Sequence, residues 1–263
     1  MIKLIATDMD GTWLKADKTY DYELFEKDFK LMQDNNVKFV IASGNQYENI
    51  LARFPEEASE QMYFVAENGA LVAHGHEILK IVSLTKKLYD LIIKITQEYP
   101  YPIIVSGVHS SYILKSAGKD FYDSMSRFYR KIKMINNLDD IDDQIFKVSL
   151  IIPEKEMPAV LAELEQKYPQ VGFVAGGYDS IDLSAPDVTK ALGLEFLSKK
   201  LNIAPAEMVA FGDSGNDVAM LKYVGDSFVT STALQSAKDA ADHVIGSSQD
   251  SSVQKEIIKL LEK

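Results

Sequence analysis

Two carboxylates at a spacing of two, Asp8 and Asp10, follow directly on the mostly apolar run Met1–Thr7 and lead into Gly11-Thr12. Such a run reads as a buried strand. A strand that stops at acidic residues places them on the carboxyl edge of a sheet, where open α/β sheets bind ligands. Residues two apart in a strand share a side, so Asp8 and Asp10 are expected to converge on one point. Two like charges held that close require a cation or a proton. A calcium loop counted from Asp8 would need glycine at its sixth position, and that position is Trp13. Two further apolar runs end in polar clusters, at Ser43-Gly44-Asn45 and at Asp213, Asn216 and Asp217, and Lys190 opens the helix before the second of these.

The elements that must position these residues follow from periodicity. Helical spacing is expected over 21–35, 46–54, 85–99, 119–129, 153–168, 188–201 and 216–223, and in the last helix from Val253. Strands are expected over 37–42, 62–66 and 207–211, with a hairpin over 70–73 and 77–82. Strand alternating with helix at both ends of the chain gives an α/β fold, a doubly wound, Rossmann-like parallel sheet. The middle breaks the rhythm. Short strands around Gly107-Val108-His109-Ser110, a strand over 146–152 and a pair around Gly176-Gly177-Tyr178 form a separate α+β unit. The expected domains are therefore 1–82 with 186–263, and an insertion at 83–185. If the sheet is parallel, all three polar clusters lie along one edge.

Composition limits the function. The chain has 263 residues, 46% hydrophobic and 25% charged, with a net charge of -11. That balance, with no basic stripe, excludes a general nucleic-acid binder. It also leaves an anionic substrate to be drawn in locally, by a metal and a few fixed cations. There is no cysteine, so thiolate metal sites and cysteine nucleophiles are excluded. No apolar stretch approaches the ~20 residues of a membrane helix, and the N-terminus does not read as a signal peptide. A soluble cytoplasmic protein, a monomer or weak homo-oligomer, is expected.

Local readings compete with the catalytic ones. Ser43 could cap the helix after it. Asp213 and Asp217 could serve a helix N-terminus. Gly212-Asp213-Ser214-Gly215 has the form of a serine-protease nucleophile string, but it lies between a strand and a helix with no His-Asp pair placed for it. His74 and His76, in a hairpin turn, are expected to be solvated. So is the acidic run 139–143.

Asp8-Met-Asp-Gly-Thr12, Val40-Ile-Ala-Ser-Gly44, Lys190 and Gly212-Asp-Ser-Gly-Asn-Asp217 resemble, in order, the four signatures of the haloacid dehalogenase superfamily phosphatases. The inserted unit is similar to the type IIB cap of its Cof-type branch. Ile41–Gln46, Val65–Ala70 and Ile181-Asp-Leu183 are most similar to the SupH-like bacterial sugar phosphatases. Trp13 and Asp187 depart from that pattern, at positions usually held by smaller residues.

The resemblance implies a Mg2+-dependent phosphomonoesterase acting on a small phosphorylated metabolite. Asp8 would be the nucleophile and form an acyl-phosphate. Asp10 would protonate the leaving alkoxide and then activate water. Mg2+ would take Asp8, the backbone carbonyl of Asp10 and Asp213, with Asp217 supporting the metal. Ser43, Gly44, Asn45, Lys190 and Asn216 would hold phosphate, Asn216 touching either the phosphate or its lysine. Phosphoryl transfer makes these demands because a carboxylate must approach a dianion. His109, Tyr178 and Asp179 lie in cap loops and would suit a hydroxylated leaving group such as a sugar phosphate. A nucleotide or vitamin phosphate, pyridoxal or flavin phosphate, is the alternative substrate. A non-catalytic sugar-phosphate-binding module is the alternative class.

Overall fold

The computed structural model describes residues 1–176 and 179–262. In chain order it has β1 (Leu4–Thr7), α1 (Tyr22–Asp34), β2 (Lys38–Ala42), α2 (Tyr47–Leu51), α3 (Glu56–Ser59), β3 (Tyr63–Ala66), β4 (Leu71–His74) and β5 (Glu77–Ile81). Then come α4 (Lys86–Thr96), β6 (Ile103–Gly107), β7 (Ser111–Leu114), α5 (Lys119–Met125), β8 (Ile132–Ile135), β9 (Ile145–Ile151), α6 (Met157–Lys167), β10 (Gly172–Ala175) and β11 (Ser180–Ser184). The chain closes with α7 (Lys190–Leu201), β12 (Met208–Gly212), α8 (Val218–Tyr223), β13 (Asp226–Thr230), α9 (Gln235–Lys238), β14 (His243–Ile245) and α10 (Ser252–Leu261). It divides into one compact unit of residues 1–80 and 189–263 and a second of residues 81–188.

The first unit is an α/β layered domain. Its sheet runs β14-β13-β12-β1-β2-β3-β4-β5. The six strands from β14 to β3 are parallel, and β4 pairs antiparallel with β3. Parallel strands are covered on both faces, which is why β1, β3 and β12 read as unbroken buried runs. From β1 the chain winds one way to β2 and β3, and on its return it winds the other way through β12, β13 and β14. The strand order therefore reverses between β1 and β12, and doubly wound sheets open a crevice at that point. Leu4, Val40, Val65, Leu194, Leu197, Ala210 and Met220 form the main core.

The inserted unit carries a six-stranded sheet, β10-β11-β9-β6-β7-β8. It is antiparallel except for the β7–β8 pair. Residues of α4 and α6 pack on one face against Val105, Val148, Leu150, Ile181 and Leu183. Met125 of α5 packs with Ile104 and Ile113, which alternate to the other face. Strand β8 was not anticipated. The expected helix over 119–129 stops at Met125, and the helix expected from Pro153 starts at Met157. Pro153 instead begins a turn, its carbonyl accepting from the amides of Glu156 (2.8 Å) and Met157 (3.2 Å). No helix of the described residues is long and apolar enough to cross a membrane.

Candidate active site

Register places the catalytic candidates. Thr7 is aligned with Phe211 on one side and Ile41 on the other. Asp8, Ser43 and Asp213 therefore leave the sheet at nearly one level. The Asp8 amide extends the ladder one step by donating to the Phe211 carbonyl at 2.9 Å.

Lys190 is the first residue of α7, whose N-cap Thr189 accepts from the Leu192 amide at 3.3 Å. Its ammonium group is fully buried and donates to Asp8 Oδ1 at 2.5 Å and Asp217 Oδ1 at 2.6 Å. The second oxygen of Asp217 accepts from the amides of Asp213 (2.9 Å) and Ser214 (3.0 Å), which folds the loop after β12 around it. Thr12 Oγ1 donates to Asp213 Oδ1 at 2.8 Å and joins that loop to the one after β1. Gly11 lies between them with φ +82°, and a Cβ there would stand 2.5 Å from Asp213 Oδ2, so no side chain fits.

Carboxylate oxygens of Asp8, Asp213 and Asp217 lie within 4.8 Å of one another. Three acids thus cluster around one ammonium group that bonds two of them. Burial pushes Asp8 well above the usual carboxylate range, against the pull of Lys190. Burial and the neighbouring Asp217 raise Asp213 to about 6. Burial works against the charge on Lys190, but Asp217 and Asp8 overcome it and hold the lysine above its usual value. A hard divalent cation would offset the uncompensated negative charge, and an all-carboxylate oxygen set suits Mg2+. Asp8 and Asp213 are placed to hold one. Asp217 has both oxygens engaged and holds the lysine and the loop.

Asp10 departs from the strand-based expectation. Its carboxylate takes Lys18 Nζ at 2.6 Å and Asn45 Nδ2 at 2.8 Å, and it is not part of the acidic cluster. Alternation fails here because β1 ends at Thr7, and Asp10 already lies in a turn that bridges to Leu14. Burial raises the Asp10 carboxyl, but Lys18 and Asn45 outweigh it and hold it below the usual range.

Ser43 is buried and does not cap α2, whose N-cap is Gln46. Its Oγ accepts from the Asn45 amide at 3.2 Å, which leaves the hydroxyl proton for another acceptor. Gly44 and Asn45, both half-buried, complete this turn. Among the described residues Asn216 bonds to neither lysine nor acid: its Nδ2 donates to Asn68 Oδ1 at 3.0 Å, and its Oδ1 accepts from Ser214 Oγ at 2.6 Å. That use of Ser214 Oγ also disposes of the protease likeness. Asn68 lies in the Val65–Ala70 stretch that carries part of the resemblance, but the sequence assigns it no role beyond the turn that Asn-Gly signals.

In the inserted unit His109 is exposed, and its amide donates to Asp143 Oδ2 at 2.9 Å. Asp179 is exposed, its carbonyl accepting from the Ile152 amide at 2.8 Å. Tyr178 lies outside the described residues. His74 stacks on Tyr63 at 4.3 Å, and His76 is exposed beside Glu56 and Glu60. Trp13 packs in an aromatic cluster with Tyr20, Phe25, Phe39 and Phe54, so its departure from the pattern anchors the loop after β1.

The chain matches the haloacid dehalogenase-like hydrolase family over residues 5–257. It is 36% identical over 263 residues to the 5-amino-6-(5-phospho-D-ribitylamino)uracil phosphatase YbjI of Escherichia coli, covering 99% of this chain and 96% of that one. A Bacillus subtilis protein with the same activity in its name, YitU, is 21% identical over 256 residues, covering 95% of this chain and 94% of that one. Among solved structures, SMU.1108c from Streptococcus mutans UA159 superposes with a TM-score of 0.92 at 30% identity over 100% of both chains. A match that reaches from the first strand into the last helix has one consequence: the chain belongs to the haloacid dehalogenase-like hydrolases and is a phosphatase.

Proposed function

We propose a Mg2+-dependent phosphomonoesterase that works through an aspartyl-phosphate and acts on a small metabolite carrying its phosphate on a sugar or sugar-alcohol chain. The observation that carries the reading is the buried lysine shared between Asp8 and Asp217, with Asp213 in the same cluster. That arrangement offers a nucleophilic oxygen, a fixed cation and an oxygen ligand set at one sheet edge. When bound there by Asp8 and Asp213, Mg2+ supplies charge neutralisation for the nucleophile and the phosphoryl oxygens.

The chain's own residues supply the rest. An Asp8 oxygen forms a bond to phosphorus as the ester P–O bond breaks. The leaving alkoxide takes a proton from Asp10. Water then attacks the aspartyl-phosphate, Asp10 takes its proton, and the P–O bond to Asp8 breaks to release inorganic phosphate. Lys18 and Asn45 pull the Asp10 carboxyl below its usual range, which favours the carboxylate that takes the water's proton in the second step, so the proton donated in the first step must be carried by Asp10 when the ester binds. Ser43 Oγ, the Gly44 amide, Asn45, Lys190 and Asn216 are the proposed phosphate contacts. His109, Tyr178 and Asp179 are the proposed contacts of the leaving group.

Two relatives named for 5-amino-6-(5-phospho-D-ribitylamino)uracil support a ribityl phosphate as the first substrate to try. A ribityl chain on a pyrimidine joins the sugar-phosphate and vitamin-phosphate readings in one molecule. The test is phosphate release from a panel holding this compound, hexose phosphates, flavin and pyridoxal phosphates and nucleotides, with Mg2+ and with EDTA. Turnover is expected with Mg2+ only, highest in kcat/KM for the ribityl ester. Asp8→Asn is expected to lose on the order of 10³-fold or more in kcat. Undiminished turnover by a folded Asp8→Asn protein would end the reading.

A further inference from the structure

Glu67, Asn68 and Gly69, which follow β3, have φ values of +51°, +55° and +104°. Three successive residues in the left-handed region, two of them not glycine, are rare, and such strain persists only where the surroundings over-determine it. The surroundings are the site itself. The Asn68 amide donates to the Ser43 carbonyl at 3.0 Å, and the Glu67 amide to the Asn45 carbonyl at 3.3 Å. The Asn68 carboxamide oxygen accepts from Asn216 Nδ2 at 3.0 Å. A Cβ on Gly44 would lie only 3.0 Å from that same oxygen. A Cβ on Gly69 would stand 2.1 Å from the carbonyl oxygen of Thr189, the residue before Lys190. One strained tripeptide therefore touches three of the segments proposed to hold phosphate.

Backbone conformation alone does not account for Asn68. Asparagine tolerates the left-handed region, but glycine does so with less cost. What glycine lacks is the carboxamide oxygen that meets Asn216. An amide nitrogen has two hydrogens, so Asn68 fixes one and leaves the other aimed by that constraint.

We propose that Asn68 is a positioning residue: its backbone holds the Ser43–Asn45 turn and its carboxamide orients Asn216, so that both address one phosphoryl group. This rests on the phosphatase reading above. Asn68 touches no reacting atom. It acts through Ser43 and Asn216.

The test uses the full chain with Asn68→Gly, which keeps the positive φ and removes only the carboxamide. Asn68→Ala would strain the backbone and confuse the two roles. Inorganic phosphate binding by calorimetry, orthovanadate inhibition and kcat/KM are measured with Mg2+, alongside Tm. Asn68→Gly is expected to keep its Tm within a few degrees and to bind phosphate and orthovanadate about tenfold more weakly, as loss of one orienting hydrogen bond implies. Asn216→Ala is expected to show a similar loss, and the double variant no more than either alone, because the two residues act as one unit. Unchanged phosphate affinity in Asn68→Gly, or losses that multiply in the double variant, would overturn the proposal. A wild-type protein that releases phosphate from no ester overturns the phosphatase reading instead, while phosphate calorimetry still reads the role of Asn68.

Discussion

Each unit buries a lysine against an aspartate, and the two pairs differ in charge balance. In the inserted unit Lys147 on β9 meets Asp182 Oδ2 on β11 at 2.7 Å, and Ser149 Oγ donates to the other oxygen at 2.6 Å. Both oxygens of that one acid are met. At the edge of the first unit's sheet, a single lysine faces Asp8 and Asp217, with Asp213 in the same cluster. Lys190 also stands at a helix N-terminus, where the helix dipole disfavours a cation. Burial of charge is therefore a poor marker of a site, since both pairs have it. Unmatched charge, placed against the local dipole at a sheet's carboxyl edge, is the better one.

The sharpest way to break this contrast is Lys190→Met. It leaves Asp8 and Asp217 facing each other without their cation. Turnover is expected to fall on the order of 10³-fold, as for loss of a charge-stabilising group. Stability is expected to fall by about 3–5 kcal/mol, the usual cost of breaking a buried pair from one side. Kinetics and urea unfolding on the same preparation check both. A folded Lys190→Met enzyme with near wild-type kcat/KM would show that the two pairs do the same job.

The inserted pair should respond differently. Lys147→Met alone is expected to destabilise by about 3 kcal/mol, because Asp182 keeps its burial and loses its cation. Lys147→Met with Asp182→Leu is expected to recover most of that loss, since a buried ion pair and an apolar replacement are often close in stability. The corresponding double change at Lys190 and Asp8 still leaves the buried Asp217 without its cation, so it is expected to regain neither stability nor activity. Unfolding midpoints for the two single and two double variants decide the matter. If the Lys147 double variant is as unstable as the single, the pair is not a self-contained structural element.

How far the sequence revealed these regions depended on range. The first unit was readable because buried parallel strands are continuous apolar runs, and β1, β2 and β12 each end in polar residues. The doubly wound fold followed from the alternation of elements. Asp10 was placed by strand alternation, but the strand ends three residues before it, and local turn geometry gave its carboxylate to Lys18 and Asn45. Strand β8 escaped notice because four residues flanked by lysines and asparagines carry little periodic signal, and its partner β7 is parallel to it. Asn68 could be read as a turn residue, but its contact with Asn216 spans 148 positions and has no local signature. The Lys147–Asp182 pair was hidden for the same reason, though alternation in β9 does put Lys147 and Ser149 on one face.

Another buried acid sharpens the comparison from the other side, because no lysine hydrogen-bonds to it. Asp28 lies in the middle of α1, fully buried, with neither carboxylate oxygen hydrogen-bonded. Burial pushes its carboxyl up to about 9, against a weak pull from Lys27 and with a further push from Asp21. A carboxyl raised in the folded state binds its proton more tightly there than in the unfolded chain. Its contribution to stability is therefore full below the ordinary carboxylate range and is lost as pH rises toward 9. Asp28→Asn, which cannot ionise, is expected to unfold with a flatter pH dependence between 5 and 9. At pH 8 it should exceed the wild type by about 1–2 kcal/mol, a typical size for a single substitution, with kcat unchanged because Asp28 is remote in role from the acidic cluster. Thermal melts of both proteins across that range read the difference directly. Parallel curves would mean that Asp28 does not titrate there, and that a buried acid in this fold can stay charged without the cation that Asp8 and Asp182 each require.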